Sequence, residues 1–166
     1  NQKGVVQEFG IIATGRMVEG VADTKKLYEL NAWLIDAFSN HQDYSGIALA
    51  KKVLEKTAAQ LDEESALVLA EESSKKLKSR SSTDVNDAFS LLTIFVPHLP
   101  LEERARFADL LVPFLNDQRD RFDTSSMTAV GHLIPYLEED KRLHYSEILL
   151  TKLKYVITGY LGVTPL

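Results

Sequence analysis

A chain of 166 residues with 45% hydrophobic and 26% charged side chains has the balance of a folded globular protein, long enough to bury about two-thirds of its unfolded surface. Its formal charge of −5 argues against non-specific phosphate-backbone binding as the main task, and the absence of cysteine excludes a disulfide framework, a thiolate metal site and a cysteine nucleophile. No apolar run approaches the roughly 18 residues of a membrane span, so an intracellular chain, cytoplasmic or nuclear, with no membrane partner is expected.

Helical periodicity runs through the chain, and polar caps divide it into eight predicted helices at 4–19, 24–39, 45–60, 63–79, 84–98, 101–116, 125–137 and 142–160. The first, "VVQEFGIIATG", is rich in β-branched residues and contains Gly10, so a strand is the competing reading there. In the second, Leu27, Leu30, Leu34 and Phe38 form one stripe, and Trp33, with Tyr28 nearby, is assigned to the core by its neighbours Leu30 and Leu34. "KKLKSRSS" at 75–82 is the one basic cluster, placed where cations complement a helix C-terminus. In the sixth, Phe107, Leu110, Leu111 and Phe114 form a second stripe. The last, "ILLTKLKYVITGYL", is apolar on more than one face, so a further repeat, a second copy or a partner is expected to cover it.

The chain repeats itself. "FVPHLPLEERARF" at 95–107 echoes "LIPYLEEDKRLHY" at 133–145, and Val96–Leu115 aligns with Ile134–Leu153 without a gap, 38 residues on. Identities fall at Pro97/Pro135, Leu99/Leu137, Arg104/Arg142, Leu111/Leu149 and Leu115/Leu153, with Phe107/Tyr145 and Asp109/Glu147 as conservative pairs. A fainter copy one period earlier puts Leu61, Glu64 and Glu71 under Leu99, Glu102 and Asp109, and a degenerate fourth lies about 40 residues before that. Pro97 and Pro135 each lack a backbone donor and press on the carbonyl four residues earlier, so the first helix of each unit should bend or stop there.

Two helices in a period of about 38 residues suit a hairpin that cannot bury its own apolar face and stacks on its neighbours. With Pro97 and Pro135 late in the first helix and Arg104 and Arg142 early in the second, the array resembles HEAT/armadillo-like repeats, although the usual turn aspartate followed by Val-Arg is not reproduced. The resemblance implies an all-α fold: four antiparallel hairpins, approximately 4–39, 45–79, 84–116 and 125–160, stacked as one right-handed α-solenoid. Beginning at Asn1, the chain is expected to be a region of a longer polypeptide.

At about 100° per residue, with Phe107 marking the core, Asp109 lies about 200° away and Glu102 about 220° away. The alignment puts Glu64 and Glu71 in the same positions one unit earlier, and Asp140 and Glu147 one unit later. These six carboxylates would make two acidic ladders along the second helices, complementary to a basic peptide or protein surface. First-turn acids also favour any helix, and a solvated face is usually charged. No Gly-rich phosphate loop, H-E-x-x-H or G-x-S-x-G occurs, and His41, His98, His132 and His144 are scattered without ligand spacing. A non-catalytic interaction or scaffold module without cofactor or metal is the expectation. The alternative is an accessory domain of a nucleic-acid-associated protein, contacting phosphates through Lys75, Lys76, Lys78 and Arg80.

Overall fold

Helix onsets sit where the sequence supplies an acceptor for unpaired N–H groups. In the computed structural model, which describes residues 23–40, 44–115 and 123–161, the Asp23 carboxylate accepts from the N–H groups of Lys25 and Lys26 at 3.1 and 3.3 Å and opens α1 (Thr24–Asn40). After α2 (Tyr44–Ala58), Asp62 accepts from the Ser65 N–H at 2.7 Å and opens α3 (Glu63–Lys75), and that bond holds its carboxyl below the ordinary value. Ser81 caps α4 (Ser82–Phe95) through the Asp84 N–H. The remaining helices are α5 (Leu101–Leu115), α6 (Asp123–Leu133) and α7 (Glu139–Leu161). Among the described residues the fold is all-α, with seven α-helices and no strand. The segment predicted at 4–19, with its strand alternative, lies outside the described residues, as does His41.

The prolines act as their chemistry requires. α4 gives way to a 3₁₀ turn at Val96–His98 and α6 to one at Ile134–Tyr136, each with its proline in the turn. Leu99 and Leu137 then adopt extended backbone, and their N–H groups donate to the Val96 and Ile134 carbonyls at 3.1 and 3.2 Å. The next helix starts when Arg104 and Arg142 donate to the Pro100 and Glu138 carbonyls. The same pair of bonds occurs one period earlier, Leu61 to Ala58 and Ala66 to Asp62. Accordingly α3, α5 and α7 begin at Glu63, Leu101 and Glu139, at intervals of 38 residues (101 − 63 and 139 − 101). α7 begins three residues before the predicted 142, because Glu138, not a later residue, accepts the first helical bond.

The chain forms two compact units, Asn1–Leu99 and Pro100–Leu166. In the first, α1 packs on α2 and α3 on α4, and α4 also meets α1 and α2. α4 therefore buries residues around much of its circumference: Val85, Ala88, Phe89, Leu91, Leu92, Ile94 and Phe95. Each large apolar side chain among them contributes about 1.5–3 kcal/mol by leaving water. A buried polar pair ties α1 to α2: Thr57 Oγ1 donates to Asn31 Oδ1 at 2.6 Å, and Asn31 Nδ2 donates to the Leu27 carbonyl at 2.8 Å. Asn86 Oδ1 on α4 is buried without a hydrogen-bond partner. In the second unit, α5 packs on α6, and α7 meets both. Its core is built from Phe107, Ala108, Leu111 and Leu115 of α5, Ala129, Val130 and Leu133 of α6, and Tyr145 of α7.

Two sequence expectations change. Helices 45–60 and 63–79 were expected to form one hairpin, whereas the closely packed pairs in the first unit are α1 with α2 and α3 with α4. A repeat specifies a period but not which adjacent helices share a face. Trp33 is 44% exposed and Leu110 also lies at the surface, because each sits at the edge of a stripe whose centre, Leu34 or Leu111, is fully buried. Within the first unit α4 is the helix buried on several sides, and α7, for which a covering repeat, second copy or partner is expected, exposes Leu143, Leu150 and Leu153.

Candidate functional site

The acidic positions sit two helical turns apart on three helices, so each pair shares a face. On α3, Glu64 and Glu71 are exposed while Ala66, Leu69, Ala70 and Ser73 face inward. On α5, Glu102 and Asp109 are exposed opposite the buried Phe107, and on α7, Asp140 and Glu147 are exposed opposite the buried Tyr145. Glu64, Glu102 and Asp140 lie in first turns, where the helix N-terminus favours a negative charge.

Within the second unit the carboxylates differ in what holds them. The Tyr145 hydroxyl donates to Asp109 Oδ1, and Lys141 Nζ stands 4.0 Å from Asp109 Oδ2, so Asp109 bridges α5 to α7 while remaining accessible. Burial, then the hydrogen bond to Asp109, then the charge of that carboxylate push the Tyr145 phenol well above its ordinary value. Tyr145 thus keeps the proton that it donates to Asp109. The neighbouring Glu103 is drawn to Arg106 at 2.5 Å, and Arg104 reaches the Tyr136 carbonyl at 3.3 Å, placing a cation at the end of the turn that closes α6. The Arg104 column of the repeat is in this position a staple between α5 and the Ile134–Tyr136 turn.

The sequence singled out Asp109 for its outward direction and missed its link to Tyr145. The signal was present: where the repeat changes Phe107 to Tyr145, a buried ring gains a hydroxyl that must find a partner. Pro113 was also passed over. It lies inside α5 and has no N–H to offer the Asp109 carbonyl.

The basic cluster is divided by the fold. Lys75, Lys78 and Arg80 are exposed, but Lys76 turns inward. Its ammonium donates to Ser39 Oγ near the end of α1 and lies 4.0 Å from Asp87 Oδ2 on α4. Burial raises the Asp87 carboxyl above its ordinary value, against the opposing pull of Lys76 and Ser39. Ser79 Oγ bonds Asp84 at 2.5 Å and accepts the Ser81 N–H, so this turn is closed by its own side chains. Lys76 is therefore a structural cation linking three helices of the first unit, and the predicted phosphate-contacting set is reduced to Lys75, Lys78 and Arg80.

Thr128, Gly131, His132, Pro135 and Tyr136 line an open groove of about 430 Å³ along α6 and its terminal turn. Among the described residues no three His, Asp or Glu side chains come together in a way that could hold a metal ion, and no helix is long and apolar enough to cross a membrane. No protein-family model, curated protein or solved structure matches the chain.

Proposed function

We propose that the chain is a helical-repeat interaction module, resembling HEAT-like α-solenoids, that presents carboxylates to a basic segment of a partner protein without performing catalysis. The observation that carries this reading is the exposure of Glu64, Glu71, Glu102, Asp109, Asp140 and Glu147, paired two turns apart on helices that begin 38 residues apart. Recurrence at one sequence interval gives each repeat the same charge at the same helical position, so each can meet a basic residue of a partner. An acidic surface speeds encounter with a cationic partner and discriminates against anions. The inward turn of Lys76 weighs against nucleic acid as the ligand. Asp109 contributes charge but little freedom, because Tyr145 holds one of its oxygens. An intracellular setting accords with the absence of cysteine.

The test is titration of the chain with a Lys/Arg-rich peptide by calorimetry at low and physiological ionic strength, with a short DNA duplex as control. Binding that weakens steeply with salt and is lost when Glu71, Glu102 and Glu147 are all replaced by Lys is expected. Equal binding by the triple variant, or preference for the duplex, refutes the reading.

A further inference from the structure

One carboxylate of the acidic surface is held differently on its two oxygens. Lys141 and Tyr145 stand four residues apart on α7, so they share a face of that helix, and both reach Asp109 on α5. The Tyr145 hydroxyl, on a side chain only 1% exposed, donates to Asp109 Oδ1. The Asp109 side chain is nonetheless 58% exposed, and the Lys141 ammonium lies 4.0 Å from its Oδ2, near enough to attract and too far for a hydrogen bond. Lys141 itself is 40% exposed and carries its charge on a flexible stem. Asp109 is thus accessible, fixed in orientation by a buried ring, and met on its other oxygen by an ammonium of its own chain.

On the reading that the chain binds a basic segment, we infer that Asp109 is its lysine-reading position: it takes a partner's ammonium on Oδ2, where Lys141 now stands, and disfavours a guanidinium fork because Tyr145 holds Oδ1. Lysine and arginine ask different things of a carboxylate. An arginine gains most when its planar fork donates to both oxygens at once, whereas a lysine is a compact point charge that one oxygen satisfies. Tyr145 already engages Oδ1, so a fork spanning both oxygens must compete with that hydrogen bond, and a hydroxyl on a buried ring is costly to strand. An ammonium makes no such demand. Lys141 then has two roles: it shows that an ammonium fits beside Oδ2, and it competes with the partner's lysine for that place. Tyr145 is a positioning residue, acting through Asp109 and not on the partner.

Calorimetry at low ionic strength, with a Lys-only and an Arg-only peptide of otherwise identical sequence, tests this assignment. Tyr145→Phe keeps the buried ring and releases Oδ1, so the Arg-only peptide should gain about two- to fivefold over the Lys-only peptide relative to the parent. A loss of stability would not move that ratio, and circular dichroism shows whether the variant is folded. Lys141→Gln should tighten the Lys-only peptide by about two- to fivefold, and the gain should vanish in an Asp109→Asn background. A general effect of removing one positive charge would survive there. An unchanged Arg-to-Lys ratio in folded Tyr145→Phe, or a Lys141→Gln gain that persists alongside Asp109→Asn, would overturn the assignment. Should Tyr145→Phe not fold, the Lys141 and Asp109 variants decide by themselves. If neither peptide binds the parent, the acidic-surface reading falls and this one with it. If both bind, and replacing Glu71, Glu102 and Glu147 by Lys abolishes binding while the ratio stays put in Tyr145→Phe, only the lysine-reading role of Asp109 fails.

Discussion

Replacing Thr57 by Val removes one hydroxyl from the interior of the first unit and leaves its shape almost unchanged. Asn31 and Thr57 are both fully buried. The Asn31 amide cannot turn over, because its nitrogen donates to the Leu27 carbonyl at 2.8 Å, so its oxygen must face Thr57. The Thr57 hydroxyl has a single proton and two acceptors within reach, Asn31 Oδ1 at 2.6 Å and the Leu54 carbonyl at 3.1 Å. The Leu54 carbonyl belongs to a helical ladder and does not depend on it, whereas Asn31 Oδ1 does. Thr57→Val therefore strands a buried acceptor, at a cost of about 1–3 kcal/mol. Asn31→Leu leaves the hydroxyl free to turn to Leu54 and should cost less. The double variant, with both polar groups gone, should lie within about 1 kcal/mol of the parent, giving a coupling of about 1–2 kcal/mol. Urea unfolding followed through Trp33, the single tryptophan and a residue of α1, reads these differences as midpoint shifts at constant slope. Thr57→Val within about 0.5 kcal/mol of the parent, or strictly additive single variants, would refute the asymmetry.

Tyr145→Phe tests the link across the second unit. Because the Tyr145 pKa is raised on folding, its stabilisation is complete below the ordinary value of 10.0 and is lost as the pH rises beyond it. The parent should lose stability above about pH 10 by circular dichroism, and the Phe variant should lose less, starting about 1–2 kcal/mol lower at neutral pH. Lys76→Met should raise the Asp87 carboxyl further, as the cation that opposes burial is removed. A raised carboxyl favours folding below its unfolded value and loses that advantage as the pH climbs through the folded one. The variant should thus be less stable at pH 7 and recover toward acid; an unchanged Asp87 carbon resonance titration would contradict the assignment. Gly131→Ala should stabilise α6 by about 0.5–1 kcal/mol, since an added Cβ meets only Leu149 Cδ1, at 3.8 Å, and the helix interior no longer carries a glycine. A lower melting temperature would show that the site is tighter than its geometry indicates.

Much of the local structure was legible because local chemistry decides it. Asp23, Asp62 and Ser81 are cap residues by type, and each opens a helix as it must. Pro97 and Pro135 end α-helical bonding within two residues of where their missing N–H would have been needed. The 38-residue spacing of "VPHLP" and "IPYLE" carries directly into the onsets of α5 and α7. The outward direction of the six carboxylates follows from counting 100° steps away from a buried aromatic, and all six are exposed.

Tertiary structure decided whatever depends on a neighbour. A helical wheel fixes direction about a helix's own axis but not which other helix lies there, so it could not tell that α1 would close on α2, or that Trp33 and Leu110 would fall at the edges of their contacts. The same ignorance of partners hid the fate of two charges. Lys76 looked like one of four free cations until Ser39 and Asp87, from helices far away in sequence, drew it inward, and Asp109 looked like a free acid until Tyr145 reached it from α7. Caps, breaks and period are properties of a segment and its nearest residues. Pairing, burial at the margins and the charge state of a side chain are set by groups that only folding brings within a few ångströms.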